Sequence, residues 1–225
     1  IPLLSHLNDI FTNKDNNSIN NINITGGMNL NHFFSPDYSL HITGDNVHIS
    51  SSYNIFYGRG SADIYVTGRD TIYVQGSFNP NPHDFTVTNY KQKKNIYIEP
   101  LDYKKYIVYN INFPFQDGIE VNTENTNIIL DGDITFTKSG SEKFKYSGKI
   151  NIIDGRYYDN QGNVFEGISG DIFLSPDQNS SYMDVHSYTQ IASSSIDATI
   201  IGNPNNPQIY FSDPEGQYSQ TELLS

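Results

Sequence analysis

One five-residue unit recurs along this chain: an apolar residue, any residue, an apolar residue, any residue, then glycine. It occurs at 40–44, 64–68, 72–76, 128–132, 144–148 and 198–202, with a looser copy ending at Gly170. A period of two is the period of a β-strand, so both apolar side chains and the glycine share one face. Glycine at that position removes a side chain and lets the sheet bend or another surface approach. The repetition predicts a sheet curved around its own apolar side. The alternate positions are polar: Asp63, Tyr65, Thr67 and Arg69 interleave with Ala62, Ile64, Val66 and Gly68. Lys145, Ser147, Lys149 and Asn151 interleave likewise with Phe144, Tyr146, Gly148, Ile150 and Ile152. Such alternation belongs to a half-buried sheet, not to a parallel sheet covered on both faces.

Turn signals punctuate the pattern at Gly68-Arg69-Asp70, Asn79-Pro80-Asn81-Pro82, Asp131-Gly132-Asp133, Gly140-Ser141, Asp159-Asn160-Gln161-Gly162 and Ser175-Pro176-Asp177. The spacing predicts a meander of strands roughly four to ten residues long. Residues 103–115 read as one longer strand, with Ile107, Tyr109, Ile111, Phe113 and Phe115 on one side. The stretch 113–118, with Pro114 and Gly118, reads as a seam but not as a domain boundary. Residues 1–20 are Asn-rich and irregular.

Composition agrees with a thin apolar face. Hydrophobic residues make up 36 % of the chain, below the roughly 45–50 % usual for globular domains. Alanine, the best helix former, occurs three times, while Ile, Tyr, Phe and Thr abound. No amphipathic helical segment precedes Ser219. There, Ser219 and Glu222 have capping-box spacing, which announces a helix. The chain ends three residues later, so it reads as a piece of a longer protein.

Catalytic and nucleic-acid signatures are missing from the sequence. The formal net charge is −12, and nucleic-acid binding needs a basic patch. The lysine groups Lys91, Lys93, Lys94 and Lys104, Lys105 read as solvated loop charges. Cysteine is absent, so pairing gives no redox information. Six histidines show no metal-ligand spacing. His41 and His48 flank Gly44-Asp45-Asn46, read as a turn, and could meet across a hairpin; exposed surface histidines are the plainer reading. Asp131 and Asp133 flank a turn glycine and do not suggest a glycosidase pair. Arg59 and Arg156 follow glycines in expected turns and read as loop charges. No P-loop, GxSxG or GxGxxG is present. The chain is therefore read as a non-enzyme that needs no cofactor or metal. It has no run of 18 apolar residues and no signal peptide, so an anchor would lie upstream of Ile1.

The C-terminal stretch carries a more specific pattern. Gly202, Pro204 and Pro207 precede a short apolar strand through Ile209 and Phe211, then Ser212-Asp213-Pro214. Ser219, Gln220, Glu222, Leu223 and Leu224 follow. With the strands at 148–157 and 167–174, this ending resembles the C-terminal domain of TamB, of the translocation and assembly module, within the AsmA-like superfamily. The resemblance covers about residues 145–225; residues 1–140 match in texture only. The resemblance implies an all-β fold with almost no helix: a single long curved antiparallel or mixed sheet, β-taco-like, with an apolar concave face. One elongated β domain over 1–225 is expected.

The resemblance also implies a non-enzymatic envelope module for lipid transport between inner and outer membranes, or for outer-membrane protein assembly. Its partners would be phospholipid acyl chains and an outer-membrane β-barrel of the TamA or BamA type. Its place would be the periplasm, with the parent anchored in the inner membrane. Alternation assigns to the shared apolar face Leu40, Ile42, Ile64, Val66, Ile72, Val74, Ile128, Leu130, Ile134 and Phe136. Phe144, Tyr146, Ile150, Ile152, Ile172, Leu174, Ile196, Ala198 and Ile200 complete that set, the expected lipid trough. The strand Gln208, Ile209, Tyr210, Phe211 is the expected edge for a partner. The competing reading is a β-helix or β-sandwich acting as a surface adhesin or glycan-binding module. Irregular spacing of the glycine units and the Ser212-Asp213-Pro214 ending disfavour it.

Overall fold

A computed structural model describes residues 21–31, 35–50, 56–87, 106–159, 162–191, 194–216 and 218. Eleven strands account for most of them: β1 (Asn21–Asn29), β2 (Asp37–Ser50), β3 (Phe56–Gly68), β4 (Ile72–Val87), β5 (Ile107–Asn122) and β6 (Thr126–Ser139). The rest are β7 (Lys145–Tyr158), β8 (Val164–Leu174), β9 (Tyr182–Ile191), β10 (Ser194–Asn203) and β11 (Asn206–Ser212). They form one sheet whose strand order is the order of the sequence. Pairing is antiparallel from β1 to β4 and from β7 to β11. The fold is thus an all-β meander, and the antiparallel pairs exclude a parallel β-helix. A 3-10 turn at Gln178–Ser180, capped by the Asp177 carboxylate, links β8 to β9.

Contacts divide the chain into two compact units, residues 1–114 with 135–146, and residues 115–134 with 147–225. The division passes between Pro114 and Phe115 in β5.

In the first unit, cross-strand register assembles the apolar face rung by rung. Leu40 lies opposite Val66, which lies opposite Val74. Ile42 faces Ile64, and Ile64 faces Gly76; Gly44 faces Ala62, and Ala62 faces Phe78. Directly opposed residues in an antiparallel pair project to the same side, so these form one surface. Val66 and Phe78 are among the most deeply buried side chains. The opposite side is a polar ladder. His41 Nε2 lies 2.7 Å from Asp63 Oδ1, and the His41 ring stacks on Tyr65 with centroids 4.1 Å apart. That face is exposed, so its ion pairs contribute little to stability.

In the second unit the same construction recurs. Ile150 faces Ile172, which faces Met183, which faces Gly202. Ile152 faces Gly170, then Val185, Ile200 and Ile209 in successive strands. Ile196 is completely buried at 0 % exposure. The polar side carries Lys149–Asp171 at 3.0 Å and Arg156–Glu166 at 3.2 Å.

Several expected turns are not turns. Gly44-Asp45-Asn46 lies within β2, where the register shifts between Gly44 and Val47. Asn46 takes φ 59° there, a left-handed conformation that asparagine tolerates. The result is a bulge, and His41 and His48 lie on one strand and not across a hairpin. Asn79-Pro80-Asn81-Pro82 lies within β4, where the register jumps from Gly60 opposite Pro80 to Gly58 opposite Phe85. Asp131-Gly132-Asp133 lies within β6. Arg59 and Arg156 are strand residues of β3 and β7, not loop residues. With these segments absorbed, strands run from 7 to 16 residues, longer than expected. The Ser219–Glu222 capping box and the lysines between 91 and 105 lie outside the described residues.

Candidate functional site

The residues expected to form the trough fall into two physical classes. In the first unit, Ile42, Ile64, Val66, Ile72 and Val74 are buried, while Leu40 is half-buried. In the second unit, Ile152, Ile196 and Ala198 are buried. Ile128, Leu130, Ile134, Ile150, Ile172, Leu174 and Ile200 are only half-buried. Phe136 is half-buried, and Phe144 and Tyr146 are 43 % and 41 % exposed. The buried class packs against the chain itself. The second class leaves apolar surface partly exposed.

Sequence reading missed part of this surface in the first unit. Phe78, Phe113, Phe136 and Tyr146 form a continuous row of rings, with centroids 5.7, 4.9 and 5.4 Å apart along it. The last two contacts are edge-to-face, the arrangement favoured by the ring quadrupole. Beside the row, Tyr109 meets Phe144 at 6.0 Å, and Lys138 Nζ sits 5.1 Å from the Phe144 centroid. The signal was present: alternation runs from Val74 through Gly76 to Phe78, and from Ile134 through Phe136 to Lys138. Extending the unit at 72–76 past its glycine would have found Phe78, and carrying the run beyond Phe136, already in the expected set, would have reached Lys138.

The expected partner strand is β11, the last in the strand order. Gln208, Ile209 and Tyr210 are exposed and Phe211 half-buried. Ile209 is 48 % exposed. Tyr210 donates its hydroxyl to Gln208 Oε1 at 2.7 Å on the same strand. Phe211 reaches Phe165 of β8 at 6.3 Å, which fixes it to the apolar side. Pro207 gives β11 one position with no backbone donor, as suits a strand at the end of a sheet.

Among the described residues, no group of three or more His, Asp or Glu side chains could hold a metal. No helix among them is long and apolar enough to cross a membrane. One open hollow on the first unit is lined by short polar side chains, including Asn23, Thr43, Asp63 and Ser77. Another on the second unit holds Tyr158, Glu166 and Tyr188. Burial raises the Tyr38 phenol pKa above its ordinary value.

Comparison with known proteins gave two results. A family model described as the TamB C-terminal domain matches residues 9–225. A search of curated proteins gave no match. The matched span extends well beyond 145–225, so the N-terminal strands carry the family pattern as well.

Proposed function

Because this chain belongs to the TamB C-terminal domain family, we propose that its uncovered apolar sheet face receives phospholipid acyl chains, within a periplasmic module that passes lipid between the inner and outer membranes. Family membership supports, at a coarse level, a role in envelope protein assembly or lipid transport in the bacterial envelope. The finer reading rests on one observation: the half-buried row Leu130, Ile134, Ile150, Ile172 and Leu174 on the apolar side of the second unit. Contiguous apolar surface beyond a few hundred Å² marks a binding site in most soluble proteins. Acyl chains satisfy such a surface without hydrogen bonds, and no covalent step is needed.

The test is native mass spectrometry of the chain purified without detergent, then incubated with phosphatidylethanolamine and phosphatidylglycerol vesicles. Retained phospholipid, lost in Leu130→Asp while the folded state persists, is the expected result. A lipid-free protein under both conditions overturns the reading.

A second reading concerns β11. As the last strand in the order, with Ile209 and Tyr210 exposed, it offers an edge for strand addition. The family is associated with TamA as a partner in general. A barrel of the TamA or BamA type is the proposed acceptor.

A further inference from the structure

The aromatic row of the first unit is not uniform along its length. Phe78, Phe113 and Phe136 are purely apolar rings. Beyond them come side chains with polar tips: Tyr146 against Phe136, Tyr109 beside Phe144, and Lys138 over Phe144. Lys138 follows Phe136 by two positions in β6, so both project from one face. The face thus runs from hydrocarbon through phenol to a cation, all within residues of one compact unit.

That order has the polarity profile of an amphiphile. Tyrosine and lysine at the end of an apolar surface are the side chains that settle at headgroup depth, with apolar bodies and polar tips. The charge is distinctive in this setting. The protein carries a formal net charge of −12. The side-chain cations of β7 each meet a carboxylate: Lys145 with Glu142, Lys149, which also lies 5.2 Å from the Phe173 centroid, with Asp171, and Arg156 with Glu166. Lys138 meets a ring instead of a carboxylate. A cation held over an aromatic face keeps its charge available to an incoming anion.

We propose that Lys138 anchors the phosphate of a bound phospholipid at the β6–β7 end of the face. The acyl chains then lie over Phe136 and Phe113, and the site favours anionic headgroups. This rests on the trough reading above and adds orientation and headgroup preference to it. Lys138 acts as a binding residue, with the Tyr146 phenol as a neutral donor beside it. The occupant is a phospholipid and not free phosphate, because the cation is continuous with the ring row.

The test uses the whole chain, incubated with an equimolar mixture of phosphatidylglycerol and diacylglycerol of identical acyl chains. Native mass spectrometry reads the ratio of the two bound lipids. The wild type is expected to favour phosphatidylglycerol by about tenfold, as a charge-assisted contact warrants. Lys138→Gln is expected to bring the ratio near unity while total lipid bound stays constant. Lys138→Glu is expected to reverse it. Circular dichroism and urea midpoints establish that the variants remain folded. An unchanged ratio in Lys138→Gln overturns the headgroup assignment while leaving the trough intact. Binding of neither lipid to the wild type overturns the trough reading and this one with it. If phosphatidylglycerol binding is suppressed equally by inorganic phosphate and by glycerol bearing no acyl chain, the amphiphile assignment is overturned.

Discussion

Gly132 and Gly148 guard one another's strands: a Cβ on Gly132 would strike the carbonyl oxygen of Lys149, and a Cβ on Gly148 would strike that of Asp133. Each glycine therefore has its missing side chain aimed at the residue beside the other. Their φ angles, 146° and 142°, lie where L-residues with side chains are strained. The two five-residue units ending at these glycines thus meet at their closest approach, where the backbones of β6 and β7 leave no room for a methyl group.

Alanine at either glycine is expected to cost about 1–3 kcal/mol through backbone strain alone. Urea unfolding followed by circular dichroism measures it. The double variant should cost less than the sum, because the first alanine already separates the strands. Gly27 gives the contrast: nothing lies within 4 Å of a Cβ built there. Gly27→Ala should change stability by no more than about 0.5 kcal/mol.

Stability and lipid occupancy should separate along the apolar face. Phe78 is 2 % exposed, so Phe78→Ala should cost about 3–5 kcal/mol. Phe136 is half-buried, and Phe136→Ala should lower retained lipid more than it lowers the urea midpoint. Equal stability losses at both positions would place Phe136 in the core and remove it from the binding surface.

Alkaline pH should weaken the fold through Tyr38. Burial raises its pKa, because the phenolate would have to form away from water. The unfolded tyrosine ionises at about 10, so above that pH the unfolded state holds fewer protons than the native state. Stability then falls as pH rises from the unfolded pKa towards the raised native one. Tyr38→Phe should flatten the decline in urea midpoint above about pH 10 relative to wild type. Identical slopes in the two proteins would remove Tyr38 as the cause.

Photocrosslinkers at Gln208 and Tyr210, both exposed on β11, should capture an outer-membrane barrel if the proposed strand addition takes place. Crosslinks solely within the protein would mean that the edge is covered by its own chain.

Strand alternation was readable because a sheet with one apolar side imposes its period directly on the sequence. Rungs such as Leu40, Val66 and Val74 needed only parity to be placed on one face. Strand length was not readable, because bulges and turns draw on the same residues. Asn46 supplies a left-handed φ within β2 as readily as it would in a hairpin. Asp131-Gly132-Asp133 spells a turn locally, yet it lies within β6 with Gly132 close against the backbone of Lys149 and Ile150, well separated in sequence. The split between buried and uncovered apolar residues was also hidden. Val66 and Leu130 hold the same place in one motif, yet Val66 is fully buried and Leu130 only half-buried.

The strand order, in which every strand neighbours those adjacent in sequence, has a consequence for growth. Adding or removing a hairpin anywhere along such a ribbon rethreads nothing, because no strand depends on a distant one for its backbone partners. Reach can therefore change by whole hairpins while the local rules stay the same. A chain built this way can also organise itself from whichever end arrives first, each new strand laid against the one before it, like cloth folded in pleats as it comes off a loom.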